Sequence, residues 1–347
     1  MKRTNTLSVQ RKAHIDNGVK EKAKYEGSTD NVISTGSTLL DLAISGGRIR
    51  GGGIPSGILV EIFGPSGSGK TVLLCEIAGA IQRQNGNIMF HDPEARLNKQ
   101  FARIFDLDTT NIEYSTPDTI PQVFQGVRDW EPKGKGINGI LADSLAALST
   151  ELEMDNKDGD KMGMRRAKEF SEELRRTCRI LAQKELLMIC SNQVRQNIDA
   201  GPYGQKYTSP GGTAIGFYAS LRLRMMDAQK IKIKEKVAGK EVTRIIGITT
   251  NIEIFKSSVW KPYRTAPVTI LFDYGIDDIR QNLQFIKDYT NNNTYMVGET
   301  NLGVSLERAI VSIEGYNVED QLKEQVIVLW EEIETKFNTT RKQKIRP

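Results

Sequence analysis

The chain has 347 residues, 26% of them charged and 38% apolar, with a formal net charge of +5. That is the make-up of a water-soluble globular protein of about two domains, one of them large enough for a substantial core. No apolar run approaches the ~20 residues that a membrane span requires, and the basic N-terminus "MKRTNTLSVQRKAH" lacks the apolar stretch of a signal peptide.

Residues 1–30 are polar and basic, with a short helix expected around 18–25. Glycines crowd residues 46–57, so a loop leads into the strand "ILVEIF", residues 58–63. Leu73, Leu74, Ile77, Ala78 and Ile81 then follow helical spacing, and Asn85-Gly86 stops that helix. "NIMFH" and "GILAD" read as short buried strands. A long helix is expected over about 165–184, with Ala167, Phe170, Leu174, Cys178 and Leu181 on one stripe. "LLMICS" is the next strand, and "ASLRLRMM" another. A Lys-rich hairpin turning at Ala238-Gly239 and the strand "IGITTNIEIF" follow. Strands alternating with helices imply a mostly parallel α/β sheet, with the later hairpins as its antiparallel edge. From about residue 275 the chain turns polar and turn-rich, then closes with the amphipathic helix "VEDQLKEQVIVLWEEIETKF", which predicts a small second domain. The three cysteines, Cys75, Cys178 and Cys190, lie far apart in apolar contexts. They read as core residues of a reduced, cytoplasmic protein, not as a metal site or disulfide frame.

Between two of the strands lies "IDAGPYGQKYTSPGGT", residues 198–213, with almost nothing apolar after Ile198. A loop of this length is usually functional or disordered, and nothing within it predicts order of its own. Two basic stretches stand out. The last twelve residues hold five basic residues and no acidic one, and Lys230, Lys232 and Lys234 alternate so that a strand points them to one face. The plainer reading is a solvated edge protected from aggregation, and the sharper one is a track for phosphate backbones.

"GPSGSGKT", Gly64, Pro65, Ser66, Gly67, Ser68, Gly69, Lys70 and Thr71, matches the P-loop pattern and sits between a strand and a helix, where phosphate binding requires it. Its glycines let backbone N–H groups face a polyphosphate, Lys70 reaches the β- and γ-phosphates, and Thr71 supplies a hydroxyl to Mg²⁺. The expected ligands are therefore ATP and Mg²⁺. Asp143, at the end of "GILAD", is placed to hold the metal through water, and Ser144 either bonds to phosphates or starts a turn. Glu94 in "FHDPEA" lies beyond the carboxyl end of a strand, where a carboxylate can orient water for attack on a phosphate, or simply serve a turn. Gln193 in "SNQ" ends another strand and opens the long loop, so it either reports a γ-phosphate or is a polar strand end.

Together "ISTGSTLLDLA", "GPSGSGKT", "DPEA", "ADSLAAL", "SNQVR" and "GGTAIGFYASLRLRM" resemble the RecA family of DNA recombinases, in order and spacing, from about 33 to 226. The resemblance implies a RecA-type P-loop ATPase core over 31–274 with a mostly parallel twisted sheet, and a small α+β C-terminal domain over 275–347. Residues 1–30 become a polymerisation segment. The family polymerises into a helical filament on single-stranded DNA with ATP, pairs it with a homologous duplex and exchanges strands, without a membrane. Carried over, Gly64 to Val72 and Ser144 bind nucleotide, Phe101 stacks on adenine, Thr71 and Asp143 serve the metal, Glu94 activates water and Gln193 senses the γ-phosphate. Lys256 acts across the protomer interface, where Phe217 also packs. Two DNA-binding loops are implied, at about 154–168 with Met162, Gly163, Arg165 and Arg166, and at about 194–213 with Arg195, Ile198, Gly211 and Gly212.

Three departures mark a divergent member, such as one from a phage or mobile element. The family's Lys-x-Lys reads Lys256-Ser257-Ser258, with Lys261 or Arg264 as the candidate replacements. "RIRGG" reads as an insertion, and the tail is basic where bacterial members end acidic. Two other functions compete: a ring-forming motor of the helicase kind, and a DNA-binding scaffold with weak ATPase activity.

Overall fold

The computed structural model describes residues 31–150, 162–196, 207–208, 214–342 and 344. In chain order its elements are α1 (Thr38–Ser45), β1 (Leu59–Gly64), α2 (Lys70–Arg83), β2 (Ile88–His91), α3 (Lys99–Arg103), β3 (Ile112–Ser115), α4 (Ile120–Asp129), β4 (Gly139–Ala142), α5 (Met162–Gln183), β5 (Leu187–Gln193), α6 (Ala214–Tyr218), β6 (Leu221–Met225), β7 (Gln229–Val237), β8 (Lys240–Ser257), β9 (Thr265–Leu271), β10 (Gly275–Ile276) and α7 (Asp278–Tyr289). A small hairpin, β11 (Tyr295–Val297) with β12 (Thr300–Gly303), and helices α8 (Leu306–Tyr316) and α9 (Glu319–Lys336) complete the described chain.

One sheet organises the molecule, in the order β10-β9-β8-β6-β1-β5-β4-β2-β3. The six strands from β6 to β3 are parallel, whereas β8, β9 and β10 join antiparallel. β7 also pairs with β8 and lies end to end with β6 along the same edge. Helices cover both faces, which is why β1, β2 and β4 are buried throughout and read as mostly apolar runs. One apolar cluster joins Val60, Ile62, Phe90 and Leu141 to α1 and α2, and a second joins Leu59, Ile140 and Met188 to Phe124 of α4 and Phe170 of α5.

The expected strands and the long helix are present, with α5 beginning at Met162. The pattern reading misses α1, α4 and β3. All eight residues of α1 are buried, so no polar face gives it a helical period. β3 is an edge strand with three of its four residues exposed, so it has no alternation. After 275 the chain changes character, yet Leu283, Ile313, Val326 and Trp330 belong to the same buried cluster as Ile62 and Leu74. The helix expected at 18–25 lies outside the described residues.

The glycines of the "RIRGG" stretch have a packing reason. A Cβ on Gly52 would sit 2.0 Å from the Asp41 carbonyl oxygen, and one on Gly47, just before the stretch, would sit 2.0 Å from the Trp260 ring. Arg50 bridges Glu324 and Glu331 of α9, so the stretch ties α1 to the last helix.

Candidate active site

The parallel strands bring their carboxyl ends to one rim of the sheet, and the P-loop stands there between β1 and α2. Gly67 and Gly69 take left-handed φ values of 73° and 97°, which side chains disfavour. At Gly69 a Cβ would also meet Ile270 at 2.3 Å. Lys70 is the first residue of α2, and its Nζ donates to the carbonyls of Gly64 (3.1 Å) and Pro65 (2.7 Å). Burial lowers the affinity of the Lys70 ammonium for its proton, and the carboxylates of Asp143 and Glu94 partly offset this.

Several further side chains lie at this rim. Thr71 Oγ1 donates to Asp143 Oδ2 at 2.6 Å, and the Ser191 hydroxyl donates to Asp143 Oδ1. Ser144, joined to Asp143 by a cis peptide, donates to Glu94 Oε1 at 3.3 Å. Glu94 Oε2 accepts from Arg96 Nε at 2.7 Å. Gln193 lies beside Gly64 in the parallel register of β1 and β5, and Val194 N donates to Gly64 O at 3.3 Å. Phe101 packs edge-on against Phe105 at 5.0 Å, and Phe105 in turn borders Gly275, next to the half-exposed Tyr274.

The donor set suits a hard cation. One hydroxyl and one carboxylate with a nucleotide's phosphates match Mg²⁺, which keeps its waters and takes few protein ligands. Accordingly, no cluster of three His, Cys, Asp or Glu side chains among the described residues makes a protein-only metal cage.

Lys256 lies away from the P-loop of its own chain. Its Nζ donates to the carbonyls of Gly216 (3.0 Å) and Phe217 (2.8 Å), while Phe217 itself is 75% exposed. Two of the candidate basic side chains have partners within the chain. Arg166 turns inward, donating to the carbonyls of Ala146 (2.9 Å) and Leu148, because that turn leaves acceptors facing α5; Arg165 is exposed instead. Arg264 is no free substitute for a missing lysine, since it pairs with Glu334 and stacks on Trp260 at 4.0 Å. Among the described residues near the long loop, Arg195 pairs with Thr208 and Gln196 with Tyr207 in a two-residue antiparallel ladder. Met162 and Gly163 begin α5, and Ile198, Gly211 and Gly212 lie outside the described residues.

Sequence reasoning overlooks Ser191 and a buried group beneath Gln193. Glu61 is fully buried on β1 and accepts from Asn192 Nδ2 (3.0 Å) and Arg222 Nε (2.6 Å). Arg222 lies over the Phe63 ring at 4.4 Å, and a Cβ on Gly216 would touch its guanidinium at 2.9 Å. A glutamate inside the apolar run "ILVEIF" is the signal that marks it, since a buried charge needs a partner.

The family model for the RecA N-terminal domain matches residues 6–277. A curated relative, Protein RecA of Helicobacter acinonychis (strain Sheeba), is 35% identical over 244 residues, which is 70% of this chain. The match spans 66% of that relative's length. A crystal structure of the RadB recombinase is similar with a TM-score of 0.48 at 18% identity, covering 70% of this chain and 98% of that one.

Proposed function

The chain belongs to the RecA family, and we propose that it is an ATP-dependent recombination protein that assembles on single-stranded DNA, pairs it with a homologous duplex and exchanges strands. The observation that carries the reading is the register of Gly64 with Gln193. It sets the phosphate loop directly against the strand end from which the 194–213 loop departs.

In this reading each residue has a role. The P-loop amides and Lys70 would hold the phosphates, and Thr71 with Asp143 would hold Mg²⁺, which when bound would supply charge neutralisation at the phosphate oxygens. Ser191 and Thr71 both donate to Asp143 and so fix the orientation of its carboxylate. Glu94 orients and deprotonates the attacking water, with Arg96 and Ser144 fixing its two oxygens. Gln193 senses the γ-phosphate and passes its position to the DNA-binding loop, in which Arg195, Ile198, Gly211 and Gly212 take part. Met162, Gly163 and Arg165 serve the first loop, and Phe101 stacks on adenine. Phe217 and Lys256 work at the contact with a neighbouring protomer, for which an exposed aromatic beside a lysine is suited.

Lys70→Ala tests the reading. It removes the cation that holds the β- and γ-phosphates, so DNA-stimulated phosphate release is lost. Electron microscopy of the wild type with single-stranded DNA and a non-hydrolysable ATP analogue shows helical filaments. Rings would point to a translocating motor, and filaments without phosphate release to a scaffold.

A further inference from the structure

Glu94 stands in a turn that is pinned from below by Asp92. Ala95 N donates to the Asp92 carbonyl at 3.0 Å, and Leu97 N donates to Asp92 Oδ2 at 2.8 Å. Asp92 is 1% exposed, and the Tyr114 hydroxyl donates to the same carboxylate oxygen at 3.0 Å. Between these anchors Ala95 takes a φ of 50°, a left-handed angle that strains a residue with a side chain. Strain of this kind gathers at functional sites. Here it brings two side chains together: Arg96 Nε lies 2.7 Å from Glu94 Oε2.

The pair is uneven. The Glu94 side chain is 20% exposed and that of Arg96 is 66% exposed. An ion pair this open contributes little to stability, and Asp92 already holds the turn. Folding therefore does not account for Arg96. Its contact with Glu94 runs through Nε, and neither Nη group makes a hydrogen bond among the described residues. An arginine carries five N–H donors in a fixed fork, so donors remain for a second anion.

A line of contacts leads from the phosphate loop to this arginine. Thr71 donates to Asp143, Ser144 follows Asp143 and donates to Glu94, and Glu94 pairs with Arg96. The charge along this line is unbalanced. A nucleoside triphosphate carries more negative charge than Mg²⁺ and Lys70 return, and the carboxylates of Asp143 and Glu94 add to the excess. Among the described residues, Arg96 is the one cation that pairs with either carboxylate.

We propose that Arg96 is a further catalytic residue, which contacts the γ-phosphate of ATP from within the same chain while its Nε stays on Glu94. The proposal rests on the ATP-hydrolysing reading above. One guanidinium then ties the base to the phosphate that water attacks. In that step the water oxygen bonds to the γ-phosphorus as the bond to the bridging oxygen breaks. Glu94 takes the water's proton, and the electron pair leaves on the β-phosphate of ADP. Charge shifts among the phosphate oxygens, where a planar cation with two donors stabilises it most. Arginines that act this way in other phosphoryl-transfer enzymes raise the rate by roughly 10³–10⁵.

The test compares wild type, Arg96→Ala, Glu94→Gln and Glu94→Gln/Arg96→Ala. Affinity is measured by calorimetry, with Mg²⁺ and without DNA, for ADP and for an ATP analogue with an imido bridge between the β- and γ-phosphates. Arg96→Ala binds the analogue about tenfold more weakly, the scale for a lost hydrogen bond to a charged group. It binds ADP as wild type does, which also shows that it folds. The same tenfold loss separates the double variant from Glu94→Gln. DNA-stimulated phosphate release of Arg96→Ala falls by ~10² or more. Unchanged analogue affinity, or equal losses for analogue and ADP, overturns the proposal. So does a loss that vanishes in the Glu94→Gln background, which would make Arg96 only a positioning residue for Glu94. A wild type that binds neither nucleotide overturns the ATP reading itself, and the two failures are therefore distinct.

Discussion

Thr71 and Asp143 are 72 positions apart, and their side chains meet in a 2.6 Å hydrogen bond. One lies in the first turn of the P-loop helix and the other directly follows a strand two places away across the sheet. With Ser191 on its other oxygen, Asp143 is held as an acceptor facing the phosphate loop. Asp143→Asn keeps the shape but removes the charge. The Mg²⁺ concentration that half-saturates phosphate release then rises ~10–100-fold, the scale for an outer-sphere ligand, while nucleotide binding without metal stays as in wild type. An unchanged Mg²⁺ requirement would assign Asp143 to strand capping alone.

Glu94→Gln removes a base without removing a hydrogen-bonding side chain. Arg96 and Ser144 still hold the residue in place. Turnover falls by ~10² or more, the usual scale for acid–base help, and nucleotide-dependent DNA binding survives. Equal losses of binding and turnover would make Glu94 a structural residue.

Gln193→Ala separates nucleotide binding from its consequence. Because Gly64 is paired by β5 backbone, the P-loop keeps its shape and binds ATP. ATP then no longer raises DNA affinity. Amide exchange over 194–213, slowed by ATP analogue and DNA in wild type, stays fast in the variant. Slowed exchange in the variant would show that another group carries the signal.

His91 makes the fold acid-sensitive. Burial pushes its pKa down to about 4 from 6.5. Its Nδ1 bonds Ser115 Oγ at 2.7 Å, and its Nε2 has no partner among the described residues. The neutral form is the one that fits. A depressed histidine pKa means that the unfolded chain binds the proton first, so stability is full above pH 6.5 and declines as pH falls from 6.5 toward 4. Complete loss amounts to about 3 kcal/mol. His91→Gln removes this component, so between pH 7 and pH 5 its melting temperature falls less than that of wild type. Parallel curves for the two proteins would contradict the assignment.

What the sequence determined by itself is local. The P-loop lies in eight consecutive residues whose glycines and lysine act through backbone angles and one helix start. The β7–β8 turn likewise follows from Ala238 and Gly239, and the strand–helix alternation from apolar spacing. Tertiary structure decided which distant groups meet. Nothing in a period of 2 or 3.6 encodes the strand order that sets β1 between β5 and β6. From that order come the register of Gly64 with Gln193, the Ser191 hydroxyl on Asp143, and the Glu61 carboxylate shared by Asn192 and Arg222. The inward turn of Arg166 has the same origin: a basic residue beside an expected DNA loop looks free until the Ala146 and Leu148 carbonyls are seen facing it. A side chain's chemistry is written in its own residue, but its partner is chosen by packing, because burial leaves each polar group to be satisfied by whichever neighbour the fold supplies.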